Sequence, residues 1–181
     1  SVQSRWHDVE SPRQFSSIND DGRRAPWNVR FGFLSDTRHV DAFVTQSGQQ
    51  SVYRFADDHF DRIAVPPGLN DISSTQTPGD NGLRLRDLDN DGISEVLVGH
   101  PSRPRVFKRA ASKDWEATNS LPAGIVDSQG RDNGVRFVDL DRDGFDDFVV
   151  SNDQQSAVHL YDPASGGFIR HADHARPPLK T

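Results

Sequence analysis

The chain of 181 residues contains no cysteine and no methionine. Without thiols, these residues cannot form disulfides, thiolate metal sites, a covalent heme attachment or a cysteine nucleophile. No apolar run approaches the roughly 18 residues that a membrane-spanning helix needs, so we expect no direct membrane insertion. Residue 1 is serine, and no signal peptide or Asn-x-Ser/Thr sequon is visible. We therefore expect that something before residue 1 was cleaved or cut away, and a signal peptide could have been part of it. The absence of cysteine and of sequons is compatible with an exported bacterial protein.

Positive charge is also scarce in this sequence. The 21 Lys and Arg residues face 27 Asp and Glu residues, which leaves a formal net charge of −6. This acidic excess argues against a broad nucleic-acid surface and favours the binding of cations. Hydrophobic residues make up 33% and aromatic residues 9% of the chain. That composition is too apolar for a disordered tail and too polar for a helical membrane protein.

One segment of the sequence occurs three times without a gap. It begins at Val29, begins again 54 residues later at Leu83, and a third time 52 residues further at Val135. The first part of each copy alternates apolar and polar residues, which is the period of a half-buried strand. The agreement extends over about 25 positions in each copy, which chance does not produce.

Each repeat contains the signals of four short strands. In the second repeat, the alternating segment is followed by a compact apolar strand at 95–98 and a third strand at 105–109. An aromatic residue marks the fourth strand of the three repeats: Phe60, Trp115 and Phe168. Four strands in a repeat of about 50 residues are typical of a β-propeller blade. The predicted fold class is therefore all-β.

The predicted organisation is three four-stranded blades and one strand of a preceding blade, at Trp6–Val9. The predicted segments are 1–27 for the end of the preceding blade and its connector, and 28–81, 82–133 and 134–181 for the three blades. Propellers close with about 4–8 blades. We therefore expect an arc of a larger propeller, completed by its remaining blades or by another protein chain.

The loops between the first two strands of the second and third repeats are strongly acidic. In segments 87–95 and 139–147, acidic residues occupy positions 1, 3, 5 and 9, and position 6 is glycine. The glycine allows a sharp turn, and the carbonyl of position 7 adds a neutral oxygen, which together suit Ca²⁺. The predicted ligands are Asp87, Asp89, Asp91, Ile93 and Glu95 in one loop and Asp139, Asp141, Asp143, Phe145 and Asp147 in the other.

We predict two Ca²⁺ ions with a structural role, because the oxygens of each loop are already committed to the ion. An acidic turn without an ion is the alternative interpretation. In the first repeat, the corresponding positions hold Phe33, Ser35, Thr37 and Asp41. Only one of these is acidic, so we expect no metal in that loop.

The two acidic repeats resemble FG-GAP/VCBS repeats, the calcium-loop blades of integrin α-subunit propellers and of many secreted bacterial proteins. Segments 81–92 and 125–141 resemble more closely the propeller region of large bacterial membrane-bound dehydrogenases with a c-type heme domain. The resemblance covers residues 28–161. It implies a periplasmic or extracellular protein, attached to the membrane, if at all, through other parts of its parent. The CxxCH heme motif of that family is absent here, so redox chemistry cannot be assigned to these residues.

Three arginines, Arg30, Arg84 and Arg136, occupy one position of the first strand in the three repeats. They could line an axial channel and hold an anion or an acidic sugar, since guanidinium groups suit carboxylates. Alternatively, each arginine pairs with an acidic residue or bridges neighbouring repeats. The polar loops at 46–49, 100–103 and 152–155 would suit sugar hydroxyls, or they are simply solvated.

The sequence contains no catalytic motif, and we assign no catalytic residue. The preferred function is a non-catalytic calcium-binding propeller module of a larger exported protein, which serves as a rigid scaffold or docking surface. Two alternatives stay open. One is a carbohydrate-binding propeller with a glycan partner. The other is part of a catalytic propeller, either a heme-linked sugar or alcohol dehydrogenase or a polysaccharide lyase.

Overall fold

The computed structural model describes residues 28–46, 49–69, 72, 80 and 82–173. Within these ranges the chain forms twelve β-strands and no helix, which confirms the predicted all-β class. The strands are β1 (Asn28–Gly32), β2 (Asp41–Gln46), β3 (Gln49–Ala56), β4 (His59–Ile63), β5 (Leu83–Arg86), β6 (Glu95–Val98), β7 (Arg105–Arg109), β8 (Trp115–Asn119), β9 (Val135–Val138), β10 (Asp147–Ser151), β11 (Ser156–Asp162) and β12 (Gly167–Asp173). The predicted strand at Trp6–Val9 lies outside the described residues.

The strands form three four-stranded sheets, β1–β4, β5–β8 and β9–β12. In each sheet, strands that are consecutive in the chain pair antiparallel, so every sheet is a meander. Strands β1 and β5, the first strands of two successive sheets, also approach each other. Three such sheets are consistent with propeller blades. None of the described residues forms a helix of the length and hydrophobicity needed to span a bilayer.

The sheets stack because their central strands are buried on both faces. Val96 and Leu97 are adjacent in β6 and therefore point to opposite faces of the second sheet. Val96 packs in a cluster with Phe43 of the first sheet, and Leu97 packs in a cluster with Phe148 of the third. Burial on both faces explains the uninterrupted apolar run of β6, which shows no alternation.

The connections between the sheets contribute to the same cores. Leu69 is fully buried in the cluster between the first and second sheets. Leu121 and Ile125 are buried between the second and third sheets. These connectors therefore fill space between sheets, although their sequences carry no strand pattern.

One face of the third sheet is exposed, whereas the equivalent faces of the first and second sheets are covered by the next sheet. The second residue of each loop between first and second strands is leucine: Leu34 is 0% exposed, Leu88 is 2% exposed and Leu140 is 48% exposed. Leu34 lies in the core between the first two sheets, and Leu88 lies in the core between the last two. Among the described residues, no further sheet follows to cover Leu140. Val138 and Ile169 of the same sheet are also exposed.

Candidate metal centre

Each predicted acidic loop brings three carboxylates together. Oxygens of Asp87, Asp89 and Glu95 all lie within 4.8 Å of one another, and so do oxygens of Asp139, Asp141 and Asp147. These residues occupy positions 1, 3 and 9 of their loops. Position 9 begins the second strand of the sheet, so the strand anchors one side of each cluster.

The spacing of these oxygens fits a calcium ion. Oxygens bound to Ca²⁺ lie about 2.3–2.6 Å from it, so two oxygens on opposite sides are about 4.6–5.2 Å apart. Oxygens that lie within 4.8 Å of one another are therefore compatible with one ion between them. Three carboxylates without a cation would repel one another, which favours an occupant of positive charge.

Backbone N–H groups shape each loop around its first carboxylate. Asp87 accepts hydrogen bonds from the N–H groups of Asp91 and Gly92, at 3.1 and 2.9 Å. Asp139 makes the corresponding contact with the N–H of Gly144 at 3.1 Å. Gly92 and Gly144 have φ angles of 86° and 95°, where a side chain would be strained. The glycine at position 6 therefore provides the sharp turn that the sequence predicts.

The last acidic residue of each loop holds the second residue of the loop in place. Glu95 Oε2 accepts a hydrogen bond from the N–H of Leu88 at 2.6 Å, and Asp147 Oδ2 accepts one from Leu140 at 2.9 Å. In the first repeat, Asp41 Oδ2 accepts two such bonds, from the second and third residues of its loop, at 3.2 and 3.1 Å. This shared structural role explains why an acid remains at this position in the degenerate loop.

The remaining predicted ligands lie outside the two groups of clustered oxygens. Asp91 Oδ1 accepts a hydrogen bond from the N–H of Ile93 at 2.8 Å, and Asp143 Oδ1 accepts one from Phe145 at 2.9 Å. These contacts tighten the turn after position 5. Asp91 and Asp143, and the carbonyls of Ile93 and Phe145, stay predicted ligands.

The first acidic loop has an unusual electrostatic environment. Burial raises the pKa of Glu95 to about 7, and the charges of Asp91 and Asp87 act in the same direction. The Lys108 ammonium group contacts Asp89 from the neighbouring strand β7. Lys108 therefore supplies one positive charge at the edge of the carboxylate cluster.

The loops also join neighbouring sheets. Asn90 Nδ2 donates a hydrogen bond to the carbonyl of Gly144 at 2.8 Å, which links the two acidic loops. Between the first and second sheets, the N–H of Ser94 donates to the carbonyl of Phe33 at 2.8 Å. Arg109 donates to the carbonyl of Ser35 at 2.8 Å. An ion that orders these loops would therefore also order the interfaces between the sheets.

The acidic loops lie in a segment with a recognisable family pattern. Residues 87–150 match the FG-GAP-like repeat family. This segment contains both acidic loops, and together with the repeated antiparallel sheets it fits an FG-GAP β-propeller. No curated protein matches the chain. Nothing in the family match indicates a dehydrogenase, so that part of the resemblance stays a prediction.

The arginine series of the three sheets lies among acidic partners. Arg30 donates to the carbonyl of Leu83 in the next sheet at 2.7 Å and pairs with Asp80 at 3.0 Å. Arg84 pairs with the same carboxylate at 2.7 Å. Asp80 thus joins arginines of two sheets, and clefts of about 630 and 410 Å³ lie on either side of β5.

The third arginine of the series pairs with the acidic residue four positions before it. Arg136 contacts Asp132 at 2.8 Å, and both side chains are largely exposed. Each arginine of the series thus pairs with a carboxylate, and Arg30 and Arg84 share the same one. Binding of an anion or acidic sugar there stays a prediction.

The third strands carry basic residues near the loops that the sequence did not predict as part of the sites. Arg54 pairs with Asp41 at 3.1 Å in the first repeat, and Lys108 contacts Asp89 in the second. Both occupy one position of the repeat, and Leu160 takes that position in the third. The alignment of the repeats contains this signal, but it becomes visible only when the third strands are compared.

Proposed function

We propose that this chain is a calcium-binding β-propeller module that acts as a rigid scaffold within a larger exported protein. The observation that carries the proposal is the convergence of three carboxylates in each of two loops of one repeat pattern. The FG-GAP-like match over the same residues supports it, because such repeats often bind calcium and are typical of exported proteins.

The residues of this chain would hold each ion from two directions. The loop supplies carboxylates from positions 1 and 3, and the start of the second strand supplies the carboxylate of position 9. Bound calcium supplies charge neutralisation and a fixed centre for these oxygens. Since Asn90 and Ser94 of the same loop bond to neighbouring sheets, fixing the loop also fixes how the sheets stack.

The stoichiometry of calcium binding tests this function. Isothermal titration of the chelator-treated chain should show two sites. Asp89→Ala and Asp141→Ala should each remove one site, because each variant loses one of three clustered carboxylates. Ser35→Ala, in the degenerate loop, should retain both. A chain that binds no calcium, or that keeps two sites in both aspartate variants, would contradict the proposal.

The scaffold role further includes a docking face on the third sheet. The occupant that we propose is another four-stranded sheet of the same repeat type, because both interfaces within this chain are built that way. Leu34 and Leu88 are buried by such a sheet, whereas the equivalent Leu140 is 48% exposed. Val138 and Ile169, exposed on the same sheet, would be covered with it.

A further inference from the structure

The three repeats differ in charge at one strand position beside the acidic loops. Arg54 of β3 pairs across the ladder with Asp41, the last acid of its loop. Lys108 of β7 and Leu160 of β11 occupy the corresponding position. Each follows the last residue that pairs with the second strand of its sheet and therefore lies opposite the last acid of its loop, Glu95 or Asp147. This position, which faces the predicted ion sites, therefore holds Arg in the first repeat, Lys in the second and Leu in the third. The inference rests on the calcium sites of the proposed function.

In the first repeat, the side chain at this position provides the cation itself. Arg54 Nε lies 3.1 Å from Asp41 Oδ1, and Arg54 Nη1 lies 3.6 Å from Asp36 Oδ2. Asp41 is fully buried, so its charge requires a partner. The guanidinium group thus neutralises the carboxylate that the other repeats direct towards an ion.

In the second repeat, a cation lies at the same position but is less firmly held. The Lys108 ammonium group contacts Asp89, one of the three clustered carboxylates of its loop. The Lys108 side chain is 39% exposed and sits on a flexible stem. It can therefore withdraw into solvent, but an incoming divalent ion must first compete with it for Asp89.

In the third repeat, the position carries no charge. Leu160 borders a cleft of about 310 Å³ together with Asp141 and Asp143 of the acidic loop. Arg170 and His171 of the next strand, β12, also border this cleft, but neither occupies the strand position that holds Arg54 and Lys108. The strand position that holds a competing cation in the other two repeats is apolar here.

We infer that the residue at this position sets the calcium affinity of each repeat. Arg54 takes the place of the ion in the first repeat, Lys108 competes with it in the second, and Leu160 leaves the third site open. The loop at 139–147 is therefore the tighter site and fills before the loop at 87–95.

Exchange of the two side chains tests this inference by calcium titration. Asp141→Ala isolates the loop at 87–95, and adding Lys108→Leu to it should tighten calcium binding about tenfold. Asp89→Ala isolates the loop at 139–147, and adding Leu160→Lys to it should weaken binding about tenfold. Arg105→Leu removes a positive charge from the far end of β7 and should change the affinity of either site less than about twofold.

The possible results separate the inference from the proposed function. If none of these proteins binds calcium, the proposed function itself is wrong. If both loops bind calcium but the exchanges at Lys108 and Leu160 leave the affinities unchanged, the function stands and the inference is overturned. An effect of Arg105→Leu as large as that of Lys108→Leu would also overturn it, because net charge would then explain the change.

Discussion

At the scale of single residues, the carboxylate at the last loop position has a role that does not depend on metal. Asp41 accepts hydrogen bonds from Leu34 and Ser35 and pairs with Arg54 while fully buried. Asp41→Asn should lower the free energy of unfolding by about 3 kcal/mol, because it leaves the Arg54 charge without its buried partner.

Chemical denaturation measures this loss, which should be the same in calcium and in chelator. Ser35→Ala is the control, since it changes a side chain of the same loop that makes none of these contacts, and it should stay within about 0.5 kcal/mol of the original. A loss in the Asp41 variant that appears only in calcium would contradict the account.

The pKa of Glu95 makes the first acidic loop sensitive to pH. Burial raises this pKa from 4.5 to about 7, so near neutral pH the carboxyl group is partly protonated without an ion. A calcium ligand must be ionised, so calcium binding to this loop should weaken as pH falls through 7. In chelator, the stability of the fold depends on pH in the opposite direction. Because the pKa of Glu95 is raised in the folded state, the protein should lose stability as pH rises from 4.5 to 7.

Titrations of the Asp141→Ala variant at about pH 8 and about pH 6 measure the effect on the single remaining loop. Glu95→Gln in the same background is the control, and any site that remains should lose most of this pH dependence. Equal affinity at both pH values in the Asp141→Ala variant would contradict the assignment of Glu95 as a ligand.

At the scale of strands and sheets, Asp80 joins the first two sheets. Burial opposes its ionisation, but hydrogen bonds from Arg84 and the Gly82 N–H and the charges of Arg84 and Arg30 together hold the pKa of Asp80 below its usual value. Its contribution to stability is therefore present above pH 3.8 and is lost as pH falls through the lowered pKa. Asp80→Asn should cost ~1 kcal/mol near neutral pH, a modest value because the side chain is partly exposed.

Denaturation curves at neutral and acid pH measure this dependence. The difference between the original protein and Asp80→Asn should shrink at acid pH. Asp132→Asn provides the matched control, because Asp132 occupies the equivalent position but forms an ion pair with one arginine, Arg136, whereas Asp80 pairs with two. A larger loss from Asp132→Asn than from Asp80→Asn would show that the bridge between sheets contributes little.

The elements of this fold were largely predictable from its sequence. The predicted strands at 95–98 and 105–109 coincide with β6 and β7, because a compact apolar run follows the acidic loop at β6 and a polar, proline-containing loop separates it from β7. The loop spacing predicted convergence of the acids at positions 1, 3, 5 and 9, and the structure clusters those at positions 1, 3 and 9. The cations at Arg54 and Lys108 were not foreseen, because their proximity to the loops depends on pairing between the second and third strands. The burial of Ile125 follows from stacking of whole sheets, which local patterns do not encode.

At the scale of the whole molecule, the uncovered face of the third sheet predicts association. Leu88→Ala should cost about 2–5 kcal/mol, the usual range for a buried leucine, whereas Leu140→Ala should cost far less in the isolated chain. The isolated chain should also self-associate through the exposed Leu140 and Ile169 as its concentration rises. Leu140→Glu should reduce this association.

Sedimentation velocity measures the association, and Ala117→Glu, which adds the same charge at an exposed position of β8 in the second sheet, is the control. A chain that remains a monodisperse monomer of 20.2 kDa at high concentration would contradict the docking face.

We propose that calcium holds the acidic loops and, through them, the stacked sheets. Thermal unfolding of the chain in calcium and in chelator tests it most directly. We expect a higher melting temperature in calcium than in chelator. The difference should be smaller in Asp89→Ala and in Asp141→Ala, because each variant loses a carboxylate from one cluster. A melting temperature that does not change between calcium and chelator would mean that both loops are ordinary acidic turns.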